Sequence, residues 1–183
     1  MSGTVVDRLY NEFRDLVAYL DQGAELSLRS TADENFRKAL LLAAASYFER
    51  KVCDDIVVFV ENMSFKNQLV SEFVKKKAVS RQYHTFFDWE SRNASTFFGL
   101  FGDAFKTFMR NELKVDLHLD RCATAFIELG RERNRLVHQD FGSFSLEKTS
   151  DEIYQLYQEA LHFVESIPIK MQQFLQQSQA NNQ

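Results

Sequence analysis

Residues 128–142 read ELGRERNRLVHQDFG, and they crowd Arg131, Arg133, Asn134, Arg135 and His138 into the end of an amphipathic run. These residue types suit phosphate chemistry. An imidazole, with an ordinary pKa of about 6.5, takes or gives a proton near neutral pH. A guanidinium fork holds phosphate oxygens and stabilises charge as it builds. On a helix at about 100° per residue, Cys122, Ala125, Phe126, Leu129, Leu136 and Val137 share one side, and Arg133 falls in the middle of that stripe. A guanidinium in the place of a leucine requires a carboxylate, a phosphate or a water-filled cleft facing it, because an unpaired buried charge is costly. Asn134 and His138 stand four apart on another face, so the amide can orient the imidazole.

Structural readings of the same residues stand beside the chemical one. Arg133 could tie to Glu49 or Asp55 of an earlier helix as a plain ion pair. His138 could serve as the cation that a helix C-terminus favours, and Asn134 could be a solvated amide.

The pattern Arg133-Asn134-x-x-x-His138, at the end of a late helix, resembles the signature of HEPN domains. The earlier segment LLLAAASYFERKV, residues 40–52, is similar to the second helix of the RNA ligase-associated RiboL-PSP-HEPN branch. The resemblance implies an all-α, HEPN-like helical bundle of five to seven helices. It implies a metal-independent endoribonuclease without a cofactor, in a toxin or anti-phage setting. Attack by the RNA's own 2′-OH would leave a 2′,3′-cyclic phosphate and a 5′-OH. Arg133 and His138 would be catalytic with Asn134, Glu49 supporting, and Arg131 and Arg135 touching RNA. Arg133 and His138 diverge by about 140° on a regular helix, so the resemblance also implies a homodimer whose two motifs share one cleft. An antitoxin or regulatory protein is a further expected partner. Some HEPN toxins carry a modifiable tyrosine two residues after the histidine; Asp140 stands there, so silencing by that route is not expected. The rival reading is a non-catalytic HEPN-like module that binds a partner protein or a nucleotide.

The elements that must position these groups read as helices. The chain has 183 residues, long enough to bury a core without staples, and its 18 Phe against one Pro and six Gly point to helices with an aromatic interior. Apolar residues from Val5 to Leu20 recur at helical spacing up to Gly23. A connection follows, and Thr31 with Glu34 has the form of a capping box opening a long helix that buries Leu41, Phe48, Val52 and Ile56. A shorter helix is expected over residues 64–78, another through Phe97, Phe98, Phe101, Phe105 and Phe108, and the motif helix over residues 119–138. Thr149 and Glu152 form a second capping box before the last helix, which Pro168 should bend or break. One domain is expected over residues 1–173, with a polar tail over 174–183.

Lys75, Lys76 and Lys77, followed by Arg81, Tyr83, His84, Phe86, Phe87 and Trp89, read as a solvated helix end and core aromatics in preference to an RNA-stacking face. The net charge of −4 argues against long-range attraction to nucleic acid as the basis of binding. Two cysteines without a spacing framework, and no apolar run near the roughly 18 residues of a membrane span, place the chain in the cytoplasm. His118 and Cys122 are too few to make a metal site, so no metal is expected.

Overall fold

The structure is a computed structural model that describes residues 3–91 and 93–180. The described residues form an all-α bundle without strands. Its helices are α1 (Val5–Gln22), α2 (Leu26–Met63), α3 (Gln68–Val74), α4 (Tyr83–Phe86), α5 (Ser95–Gly99), α6 (Asp103–Val115), α7 (Leu117–His138) and α8 (Ser150–Ala180). Five of these are long, and the short α3, α4 and α5 fill the middle of the chain.

α7 lies at the centre. It packs along α8 and against α2 and α6, and α2 in turn packs on α1 and α8. The contact is aromatic: Phe126 of α7 lies 5.6 Å from Phe48 and 5.4 Å from Phe163, and Phe48 stacks on Tyr157 at 5.4 Å, centroid to centroid. Each such buried ring contributes about 1.5–3 kcal/mol of transfer free energy, and the edge-to-face pairs add to it. This core fixes the α2–α7 distance on which the candidate site depends.

Local rules decide several boundaries. Thr4 and Asp7 cap α1 reciprocally, and the Thr4 hydroxyl also meets the Tyr157 hydroxyl at 2.6 Å. The second predicted capping box forms: Thr149 N–H donates to Glu152 Oε2 at 2.7 Å, and Glu152 N–H donates to Thr149 Oγ1 at 3.2 Å. The first does not. α2 starts at Leu26, so Thr31 lies inside it and its hydroxyl donates backward to the Ser27 carbonyl at 3.2 Å. The chain turns at Gly23 and the left-handed Ala24 (φ 56°), after which nothing before Thr31 resists helix formation.

The helix expected over residues 64–78 is shorter, because Phe65 and Lys66 adopt left-handed φ and Asn67 caps α3. Phe65, Leu69 and Phe73 are exposed rather than buried in the core. A π-helical turn, Lys75–Val79, follows. The phenylalanine-rich helix is two helices, parted at Gly102 with φ 97°, a value that strains any residue with a Cβ. Pro168 does not interrupt α8. Val164, Ile167 and Met171 are buried on either side of it, and this packing outweighs the lost hydrogen bond, a cost of about 3 kcal/mol. Phe174, at the start of the expected tail, packs 5.4 Å from Phe105 and 5.5 Å from Phe108, and the helix continues to Ala180.

The loop after α7 is pinned by α2. Arg37 Nη1 donates to the Leu146 carbonyl at 2.9 Å, and the buried Lys38 ammonium donates to the Phe141 carbonyl at 2.9 Å while lying 5.1 Å from the Phe141 ring centroid. Those bonds hold the exit of α7, where His138 sits. Asp140 shapes the same loop: its carboxylate accepts from Ser143 Oγ and Gly142 N–H, bonds that lower its pKa below the ordinary carboxylate value.

Candidate functional site

A cavity of about 240 Å³ opens between α2, α7 and the segment that follows the π-helical turn. α2 contributes Ala45, Phe48 and Glu49, and α7 contributes Phe126, Leu129, Gly130, Arg133 and Asn134. Arg81, Tyr83, His84 and Trp89 form the third wall.

The α7 face follows from helical spacing. Gly130 precedes Arg133 by three residues and Asn134 by four, which stacks the three on one side. Gly130 is the point of closest approach, because a Cβ built there would overlap the Trp89 indole. The six-membered ring of the indole lies against the bare backbone there and meets Phe87 at 5.0 Å, Phe126 at 5.8 Å and Tyr83 at 5.9 Å. Trp89 is thereby fixed one turn before Arg133.

Arg133 is half-buried, and its Nη1 donates to Asn134 Oδ1 at 3.1 Å. Among the described residues no carboxylate lies within ion-pair distance of it. Both structural ties considered for it are absent. Asp55 instead receives Lys51 at 2.7 Å, and Glu49 shares the cavity with Arg133 without bonding it. Arg133 opens onto the cavity instead.

Tyr83 shares the cavity with both charged groups. Burial pushes its phenol far above the ordinary value, Glu49 and Cys53 raise it further, and Arg133 opposes them. The hydroxyl therefore stays a neutral donor at physiological pH. Burial, with Glu49 and Asp54 behind it, pushes the Cys53 thiol up to about 11, so this cysteine is not a ready thiolate.

The remaining motif residues lie outside the cavity lining. His138 is exposed at the last position of α7. Arg135 reaches Glu132 Oε1 at 3.0 Å and lies 5.7 Å from the Phe144 ring centroid, so its guanidinium already has a structural tie. Arg131 is half-buried and has no ion pair among the described residues. His118 Nε2 and Cys122 Sγ are 3.7 Å apart with the His162 ring 5.8 Å from His118, and burial raises the Cys122 thiol.

Sequence reasoning assigned Arg81, Tyr83, His84, Phe86, Phe87 and Trp89 to a helix end and the core: Phe86 and Phe87 enter the core and Tyr83 and Trp89 pack against it, but Arg81, Tyr83, His84 and Trp89 also line the cavity, which was not foreseen. Two signals pointed to them. Gly130 interrupts the apolar face of α7 beside the motif, which marks a close approach. Arg81, at φ 62°, stands in a left-handed conformation just after a π-helical turn, two irregularities that gather at functional sites.

The family model for RiboL-PSP-HEPN matches residues 7–173. No curated protein and no solved structure matches the chain.

Proposed function

Because the chain belongs to the RiboL-PSP-HEPN family, a HEPN-domain family with an RNA-related, nuclease-type function, we propose that it is a metal-independent endoribonuclease of a toxin or anti-phage system. The observation that carries this reading is Arg133: a half-buried guanidinium at an open cavity, bonded to Asn134 and to no carboxylate among the described residues. Such a group is poised for an anionic oxygen from outside the chain.

In the reaction, a base removes the 2′-OH proton and the oxygen attacks the adjacent phosphorus. The bond to the 5′-oxygen breaks, and an acid protonates the leaving oxygen. Arg133 stabilises the charge gathering on the phosphoryl oxygens, and Asn134 holds the guanidinium. His138 transfers protons, Glu49 supports from the opposite wall, and Arg131 and Arg135 meet flanking phosphates. His138 sits at the helix end and outside the cavity lining, so in this reading it acts in a homodimer, on the cleft of the other copy. One observation favours a second assignment of the proton-transfer group. His84 is the imidazole that the same chain brings to the cavity of Arg133.

Purified protein incubated with RNA in chelator, with end-group analysis, tests the proposal. The parent chain should leave 2′,3′-cyclic phosphates, and Arg133→Ala should abolish cleavage. His138→Ala and His84→Ala decide between the two imidazoles. Cleavage that survives in Arg133→Ala would belong to a contaminant and end the nuclease reading.

A further inference from the structure

The cavity holds more than phosphate chemistry requires. All three of its walls carry aromatic rings, with Phe48 on α2, Phe126 on α7 and Trp89 on the segment after the π-helical turn. Glu49 faces the same space, and among the described residues no cation or hydrogen-bond donor engages its carboxylate. A carboxylate beside an aromatic wall repels a phosphodiester. It suits a flat, neutral ring that carries N–H donors.

Size agrees with this. About 240 Å³ lies below the roughly 300–1,000 Å³ of sites for drug-sized ligands, a size that suits a single planar base. Trp89 is half-exposed and locked by its seat on Gly130, so its indole is a fixed stacking platform. The polar groups have a defined donor and acceptor pattern. Glu49 accepts through two oxygens, the Tyr83 phenol stays a neutral donor, and Asn134 has Oδ1 occupied by Arg133, which leaves its Nδ2 hydrogens to donate. Guanine is the common RNA base with two adjacent N–H donors, at N1 and N2, beside a carbonyl acceptor at O6.

We propose that the α2–α7 cavity is a recognition subsite for one unstacked nucleobase, guanine, stacked against Trp89 with its N1 and N2 edge on Glu49 and its O6 towards Asn134 and Tyr83. This rests on the endoribonuclease reading and gives the supporting role of Glu49 its content: it positions the RNA by a base, beside the phosphate that Arg133 holds.

The chain has a single tryptophan, so its fluorescence reports on this wall alone. The full chain is titrated with GMP, AMP, CMP and UMP, and with ribose 5-phosphate as the base-free control. Saturable quenching by GMP is expected, weaker quenching by the other nucleotides and none by ribose 5-phosphate. Glu49→Gln should weaken GMP by about tenfold or more, the loss of a charge-assisted bond pair, with its thermal melt unchanged. No quenching by any nucleotide, or equal quenching by ribose 5-phosphate, overturns the subsite. Equal quenching by all four nucleotides, or a Glu49→Gln variant that still prefers GMP, overturns the guanine assignment. Glu147→Gln, the same change at an exposed carboxylate outside the cavity lining, should bind GMP as the parent does. Base binding without RNA cleavage in the parent chain would sink the nuclease reading and leave the subsite standing; cleavage without base binding would do the reverse.

Discussion

Replacing Arg133 by alanine separates a structural guanidinium from a functional one through stability alone. Arg133 has one polar contact, Nη1 to Asn134 Oδ1 at 3.1 Å, and the partner is its neighbour on the same helix. Losing that bond costs about 1 kcal/mol, below the roughly 1.5–3 kcal/mol of a buried bond from a charged donor because this pair is only half-buried and water can replace it, and alanine returns part of it through helix propensity. Truncating one member of a buried ion pair costs about 3–5 kcal/mol, because the remaining charge is stranded. Urea unfolding followed by helical circular dichroism distinguishes these. For a protein of this size the slope is about 1–3 kcal/mol per molar urea, so a midpoint shift of at most about 1 M is predicted, converted with the measured slope. The same variant should lose about 10²–10³-fold in RNA cleavage, as when a transition-state donor is removed. A loss of 3 kcal/mol or more would mean that Arg133 anchors a buried charge, and the cleft argument would fail with it.

Three further outcomes follow from the packing. Lys38→Met removes the ammonium that bonds the Phe141 carbonyl while keeping most of its apolar stem; chemical denaturation should show a loss of about 1.5–3 kcal/mol, as for a bond from a charged donor, and an unchanged midpoint would mean that the loop after α7 is held by other groups. Gly102→Ala forces a Cβ onto a residue at φ 97° and ψ 161°, a region almost confined to glycine, and should lower stability by about 1–3 kcal/mol, read as a lower melting temperature; an unaltered melt would place Gly102 in an ordinary conformation. The Tyr10 phenol is pushed up to about 12, first by burial and then by its bond to Asp151, against about 10 in an unfolded chain. The folded state thus holds this proton more tightly, and the associated stability is complete below about pH 10 and declines as pH rises towards 12. Tyr10→Phe should show a shallower loss of stability over that interval, and identical alkaline profiles would rule out the linkage.

Elements with sustained helical spacing were legible in the sequence: α1, α7 and α8 are found close to where periodicity puts them, and the Thr149–Glu152 pair caps as its spacing predicts. The start of α2 was not, because the side chain of Thr31 serves equally well as an N-cap acceptor or as a donor to the preceding turn, and only the turn at Ala24 decides. Periodicity continued across Gly102 although the backbone does not, since Phe98 and Phe105 are both buried on either side of the break. At the site, helical phase put Arg133 and Asn134 on different faces, with Asn134 beside His138; instead both line the cavity with Glu49, and the amide bonds Arg133. The third wall escaped because residues 81–89 have no period, and their aromatic types are those a core also selects. Whether a tryptophan faces a cavity or an interior depends on what it rests upon, and here that is an absent side chain at Gly130.

The bare surface of α7 at Gly130 divides the cleft into parts of unequal permanence. Two sides are long helices welded into the interior, and they carry Glu49, Arg133 and Asn134. The remaining side is a short irregular stretch laid across them, steadied by one indole. Substitutions along that stretch can reshape the mouth of the cleft without disturbing the packing of the two helices, so this wall is free to vary while the frame that holds Arg133 stays in place.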